Sequence, residues 1–213
     1  MSDRLSRITT PLTGVLFVGL TLATIFIGAS NTPDSNWSGT RVIAFYEAHR
    51  HNQRVSDVIA AVAFLFLVFF AASLRSYLRR AERAEAASTL SLVGAALFAV
   101  GFVIASGFDY ALADVPSHLA PAAAQALNVA SNDVWLLVPI GGCAFSIANG
   151  VAILRGAPLP KWLGWVAIVI GIAAVTPALF FALFALLVWT LIVSVLIYLR
   201  SGTSSPAAAP AAA

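Results

Sequence analysis

Two carboxylate–imidazole pairs are the residues of this sequence best suited to chemistry. Glu47 and His51 are four residues apart, and so are Asp114 and His118. Residues at this spacing share one face of a helix, so each pair would present a carboxylate beside an imidazole. Such groups can bind Zn²⁺ or a similar ion. The four residues are therefore candidate metal ligands, and the alternative is ordinary loop polarity, with Glu47 neutralised by neighbouring arginines.

A second candidate site is an interruption in an apolar run, where Pro139 is followed by Gly141 and Gly142. Proline removes a backbone donor, so we expect a kink near Pro139. Broken helices form substrate sites in transporters, and a bend filled by neighbouring side chains is the alternative. Because no charge is expected deep in the apolar runs, the ligand would be neutral or lipid-like. The candidate cavity-lining residues are Asn132, Asp133, Pro139 and Asn149.

The composition places these residues in a membrane protein. Hydrophobic residues make up 60% of the chain and charged residues 10%, whereas about a quarter of a soluble domain is charged. The charges cluster between apolar runs long enough to cross a bilayer. The net charge of +3 comes from arginines beside these runs, which indicates contact with lipid rather than with nucleic acid.

The apolar runs predict an all-α bundle of six transmembrane helices. The stretch 162–199 would be about 57 Å long as one helix, against about 30 Å of hydrocarbon, so it must reverse near Thr176 and Pro177. Residues 1–200 form one predicted domain, and 201–213 a disordered tail rich in Ala and Pro. The predicted helices are 12–29, 57–74, 89–108, 133–154, 162–176 and 178–199.

A short amphipathic helix is predicted over residues 39–52, between the first two spans. Apart from Ile43, which lies on the polar side, its apolar and polar residues separate onto opposite sides of a helical wheel. A helix lying in the headgroup layer fits this pattern, and a helix packed on the bundle is the alternative. The apolar side carries Val42, Phe45, Tyr46 and His49, and the polar side Glu47, Arg50, His51 and Arg54.

The distribution of Lys and Arg predicts the orientation in the membrane. With both termini in the cytoplasm, nine of the basic residues lie inside and three lie outside, as the positive-inside rule requires. We therefore expect a multi-pass membrane protein with this orientation. The preference for Arg over Lys and the high Ala content suggest a bacterial source, and hence an inner membrane. A cleaved signal peptide is the alternative for the first run, which is longer than the apolar core of such a peptide.

Several classes of function are excluded by what the predicted helices lack. The three histidines lie in outer loops, away from the positions where a membrane haem needs its axial ligands. No nucleophile has a base near it in the apolar runs, so no catalytic residue and no cofactor is predicted. Asp57, Asp109 and Asp133 are expected near the outer ends of the helices, within reach of water or headgroups.

Three segments carry a resemblance to a known family. They are Arg-Val-Ile-Ala-Phe-Tyr-Glu at 41–47, the arginine-rich second loop, and Leu-Pro-Lys-Trp-Leu-Gly-Trp at 159–165. Together they resemble a family of small six-helix inner-membrane proteins of bacteria, defined as a domain of unknown function. The resemblance covers about residues 10–200 and implies the six-span layout with a short extracytoplasmic helix. It implies no activity and no site residues.

The leading hypothesis from sequence is a non-enzymatic accessory, regulatory or structural membrane component. It depends on small residues, including Gly94, Ala95 and Gly101, whose spacing lets helices approach closely in lipid. The expected partners are the bilayer and another membrane protein or a second copy of this chain. The alternatives are a transporter or binder that uses the kinked fourth helix, and a metal-dependent enzyme with an extracytoplasmic site.

Overall fold

The structure is a computed structural model, and it describes residues 2–28, 32–79, 81–134 and 136–202. These residues form helices joined by short turns, with no strand among them. Short 3₁₀ turns cover Glu82–Ala84 and Pro116–His118. Residues 203–213, most of the predicted tail, lie outside the described part of the chain. The helices are α1 (Ser2–Ile27), α2 (Gly39–Leu78), α3 (Glu85–Asp114), α4 (Pro121–Val134), α5 (Leu137–Leu154), α6 (Lys161–Ala174) and α7 (Leu179–Gly202).

Several of the described helices have the length and composition of membrane spans. Four stretches are long and apolar enough to cross a bilayer: Gly39–Leu78, Glu85–Asp114, Pro121–Leu154 and Leu179–Arg200. Two shorter apolar helices, Pro11–Ile27 and Lys161–Ala174, accompany them. An all-helical protein of membrane composition is thus confirmed.

Six helices form a closed ring, in which each helix packs against its two neighbours. The order around the ring is α1, α2, α3, α5, α6 and α7, and α7 returns to α1. The interior is filled by large apolar side chains, with the Phe145 and Trp189 rings 6.4 Å apart in an edge-to-face contact. Trp189 is 2% exposed and donates its indole hydrogen to the Leu163 carbonyl at 3.0 Å. We call this ring the bundle.

Residues 39–52 and 109–134 form a second unit on one end of the bundle, which we call the cap. It contains the start of α2, the end of α3, the Pro116–His118 turn and α4. The cap has its own apolar core, and its buried members come from all three helices. These members are Val42, Tyr46, Leu112, Ala113 and Ala124.

The structure differs from the prediction of a separate interfacial helix over residues 39–52. Residues 52–57 contain no Gly or Pro, so α2 continues from the cap into the bundle for about 60 Å. Val42 and Tyr46 of the predicted apolar side are buried, whereas His49 of that side is exposed, as is Glu47 of the polar side. The apolar side faces α3 and α4 rather than headgroups.

The packing of α3 on α5 uses small residues on both helices. A Cβ atom at Gly94 would collide with the backbone nitrogen of Phe145, and one at Gly141 with that of Phe98. The small-residue spacing predicted to allow close approach is therefore used within the chain.

Pro139 lies near the start of α5. Helix α4 ends at Val134 and α5 begins at Leu137, so Pro139 is the third residue of α5. In the first turn of a helix the backbone N–H has no partner inside the helix, and proline is tolerated there. The position of Pro139 in the first turn of α5 is one that proline tolerates, and the kink expected near it stays a prediction.

The end of the bundle opposite the cap gathers basic residues. Arg79 lies 3.4 Å from Glu85. Tyr77 donates to the Pro158 carbonyl at 3.2 Å, and Arg200 donates to the same oxygen. The α2–α3 turn, the α5–α6 turn and the end of α7 therefore lie at one end of the molecule.

Candidate functional site

A cavity of about 350 Å³ lies between α1, α2, α3 and α7, at the junction of the bundle and the cap. This volume lies in the range of pockets that bind small molecules. Most of its wall is apolar, and the aromatic rings there pack on one another: Phe64 stacks on Phe102 at 3.9 Å, and Phe98 meets Phe64 edge-to-face at 5.5 Å. The phenylalanines that line it are Phe17, Phe64, Phe98, Phe102, Phe180 and Phe184.

Polar side chains line the same cavity, and the periodicity of α2 places several of them. Residues three and four apart share one face of a helix. Gln53, Ser56 and Asp57 therefore precede Ala60 and Phe64 along one line of α2, and all five line the cavity. On this line of α2, three polar residues are thus followed directly by two apolar ones.

Hydrogen bonds hold part of this polar lining in place. Gln53 Nε2 donates to Asp57 Oδ1 at 3.0 Å. Ser56 Oγ donates to the Thr24 carbonyl of α1 at 3.3 Å. Asp109 of α3 accepts two hydrogen bonds on Oδ1, one from Tyr46 at 3.0 Å and one from Ser131 at 2.8 Å. The cap thus contributes donors to the polar end of the cavity.

Three buried oxygen atoms on the cavity wall have no hydrogen-bond partner among the described residues. They are Thr21 Oγ1, Gln53 Oε1 and Asp57 Oδ2. Gln53 is 5% exposed and Asp57 is 7% exposed. A buried polar atom without a partner costs about 1–3 kcal/mol, and a carboxylate more. These atoms therefore favour a group that donates hydrogen bonds to them.

The burial of Asp57 corrects the expectation that water or headgroups reach it. Helix α2 continues past Asp57 into the cap, so this residue lies inside the protein rather than at a helix end. Asp109 lies within α3 and is partly buried. Asp133, near the end of α4, is exposed as expected. An acidic side chain is thus present in the interior, where the sequence predicted none.

The cavity reaches the outer surface between α1 and α7. Ile25 of α1 is 52% exposed and Phe180 of α7 is 65% exposed, and both line the cavity. The adjacent α6 has 14 residues, about 21 Å, and the chain turns back just after it. The opening therefore lies on the side of the bundle, between two apolar helices, rather than at one of its ends.

The residues predicted to line a cavity at the fourth helix are not among those that line this one. Asn149 is fully buried; it accepts a hydrogen bond from Ser91 at 2.9 Å and donates to the Phe145 carbonyl. Asn132 donates to backbone carbonyls of Pro33 and Asn128. These two side chains join helices and loops. Asp133 is exposed and Pro139 is half-buried in α5.

The candidate metal ligands are spread over the surface of the cap. Glu47, His51 and His118 are exposed, and Asp114 forms an ion pair with Arg54 at 3.2 Å. Arg54 also donates to the Tyr110 hydroxyl at 2.9 Å. Across the described ranges, no three His, Cys, Asp or Glu side chains come close enough together to hold a metal ion.

No family model matches the chain, and none of the curated proteins or solved structures compared with it matches. The resemblance drawn from residues 41–47 and 159–165 therefore stays a prediction. The described residues form a helical protein with four apolar stretches of membrane-spanning length and a cavity that opens between α1 and α7 and has one polar end.

Proposed function

We propose that this protein is an integral membrane protein that binds a small, largely apolar molecule inside its helix bundle. The observation that carries the proposal is the cavity of about 350 Å³ with phenylalanine walls. A close-packed interior leaves few voids larger than a water molecule. A cavity of this size, with a few polar groups converging on one end, is typical of a ligand site.

The cavity favours a binding protein or carrier over the accessory component expected from the sequence. That expectation depended on small-residue faces available to a partner. Gly94 and Gly141 instead face backbone atoms of the same chain. The enzyme alternative loses support as well, because Asp114 pairs with Arg54 rather than with His118.

We further propose six spans with both termini in the cytoplasm of a bacterial inner membrane. The helices α1, α2, α3, α5, α6 and α7 would cross, with the cap outside. The grouping of Arg79, Tyr77 and Arg200 at one end supports this orientation, since arginines flanking spans favour the cytoplasm. The ligand would then enter from the membrane, through the opening beside Phe180.

Binding can be tested with radiolabelled 4-phenylbutanol, an uncharged molecule with an aromatic body. The full-length protein is placed in lipid nanodiscs, and saturable retention is compared with that of empty nanodiscs. Ala60→Phe places a ring in the cavity, and we expect it to weaken retention by about tenfold or more, since the volume that receives the probe is filled.

Ala72→Phe is the matched control, because Ala72 lies on the same helix, is exposed and does not line the cavity. We expect it to retain the probe as the wild type does. Equal retention by the wild type and the Ala60 variant, or no saturable retention by the wild type, would contradict the proposal.

A further inference from the structure

We propose that the cavity selects an amphiphilic cation whose N–H groups donate to Asp57 and Gln53 and whose apolar body lies among the phenylalanines. This inference rests on the proposed function and names the class of its ligand. A primary ammonium or an amidinium carried on an aromatic or aliphatic body fits this description.

The unpartnered atoms at the polar end of the cavity call for a donor. When Asp57 is ionised, its carboxylate and the Gln53 carbonyl oxygen accept hydrogen bonds and do not donate them. The orientation of the Gln53 amide is set by its neighbour, because Nε2 donates to Asp57 Oδ1 and a flipped amide would place two oxygens face to face. Gln53 Oε1 and Asp57 Oδ2 therefore remain for a ligand with at least two donors.

The charges around the cavity favour a cation. Asp57 and Asp109 both line it, and none of the described residues that line it is Lys, Arg or His. Arg54, close to Asp57 on the same helix, is already engaged by Tyr110 and Asp114 in the cap. A buried carboxylate without a counter-ion is costly, and a cation that donates to it offsets that cost.

Asp57 rather than Asp109 provides the contact. Asp109 Oδ1 already accepts hydrogen bonds from Tyr46 and Ser131. Asp57 Oδ2 accepts none among the described residues. The Asp109 carboxyl therefore adds negative potential, while Asp57 supplies the open acceptor.

The walls suit the remainder of such a molecule. Phe64, Phe98 and Phe102 form one cluster in which Phe98 also meets Phe102 edge-to-face at 5.3 Å. Ring faces attract cations as well as apolar groups. A quaternary ammonium satisfies the charge but has no N–H to donate, so it fits the site less well than a primary ammonium does.

The test compares two probes of nearly equal shape, 4-phenylbutylamine and 4-phenylbutanol, in the same nanodisc assay at neutral pH. The amine is protonated there and offers three donors, whereas the alcohol is neutral and offers one. We expect the wild type to retain the amine at least about tenfold more tightly, as a charge-assisted hydrogen bond predicts. Asp57→Asn keeps the shape of the side chain, and we expect it to bring the amine to the level of the alcohol. Retention of the alcohol should stay unchanged.

Asp133→Asn is the matched control, since this exposed carboxyl does not line the cavity. Gln53→Met provides a second variant. It should weaken retention of the amine, but the amine should still be retained at least as tightly as the alcohol. Equal retention of both probes by the wild type, or a preference for the amine that survives Asp57→Asn, would overturn cation selection while leaving the proposed function intact. Retention of neither probe would overturn both.

Discussion

The hydroxyl of Tyr46 lies 3.0 Å from Oδ1 of Asp109 and joins α2 to α3 where the cap meets the bundle. Ser131 of α4 donates to the same oxygen. Three helices thus converge on one carboxyl group, at the polar end of the cavity. The position of the cap over the cavity depends on this point of contact together with the apolar core around Val42.

Removing the Tyr46 hydroxyl should loosen the cap. Tyr46→Phe keeps the ring, which is 1% exposed, and deletes one of the two hydrogen bonds to Asp109. We expect the free energy of unfolding to fall by about 1–3 kcal/mol, because the hydrogen bond is lost and the carboxyl is left less well solvated. Denaturant unfolding in detergent, followed by tryptophan fluorescence, measures this change. Tyr198→Phe, at a residue 61% exposed, should leave stability unaltered; equal effects of both variants would contradict the prediction.

The close packing of α3 on α5 predicts opposite effects of two similar substitutions. Gly141→Ala should lower the thermal unfolding midpoint, because the new Cβ meets the Phe98 backbone, which cannot yield as a flexible side chain does. At Gly107 of α3 a Cβ meets nothing within 4 Å. Gly107→Ala should raise stability by up to about 1 kcal/mol through helix propensity alone. Thermal denaturation monitored by size-exclusion chromatography compares them, and the same sign for both would refute the packing argument.

The hydrogen bond from Ser91 to Asn149 should act as a coupled pair. Asn149 is fully buried, and its amide also donates to the Phe145 carbonyl. We expect Asn149→Ala to destabilise the protein by about 2–4 kcal/mol, because it deletes both bonds and leaves a void. A double-mutant cycle with Ser91→Ala should return a coupling energy of about 1 kcal/mol. Additive effects of the two variants would show that the hydrogen bond contributes nothing to stability.

The proposed orientation predicts which cysteines react from outside the cell. With Cys143, the only cysteine of the chain, changed to Ser, single cysteines are introduced at Gln125 of α4 and at Ala86 of α3. Both positions are exposed, the first in the cap and the second near the basic end. A membrane-impermeant thiol reagent should label Gln125→Cys in intact cells and Ala86→Cys only after permeabilisation. Labelling of both positions in the same compartment would overturn the orientation.

The membrane character of the helices could be predicted from the sequence because it depends on local composition. Apolar runs long enough to cross a bilayer can be recognised directly in the sequence. Thr176-Pro177 is the only plausible breaking point in the stretch 162–199, which is too long for one crossing. The structure has its turn there, between Ala174 and Leu179. Periodicity likewise placed Val42 and Tyr46 on the apolar side of one helix, and both are buried. What covers that side depends on α3 and α4, which periodicity within one segment does not reveal.

The sequence did not predict the cavity, because the residues that line it come from four helices. Its polar end forms where the cap meets the bundle, and no single segment reveals that contact. Because residues 39–52 were predicted as a separate helix, Asp57 was placed at the end of a membrane span. The signal that could have found it is the line Gln53, Ser56, Asp57, Ala60 and Phe64, where polar residues extend an apolar helical face without a break. Such a line indicates a polar group facing protein rather than water.

The uninterrupted course of α2 has a mechanical consequence. Because 40 residues form one helix with no Gly or Pro after its first residue, we expect no hinge between its end in the cap and its end in the bundle. A tilt of the part of α2 that lies in the cap should therefore also move Asp57 and Phe64. A partner that binds the cap and tilts α2 would therefore also change the shape of the cavity around Phe64.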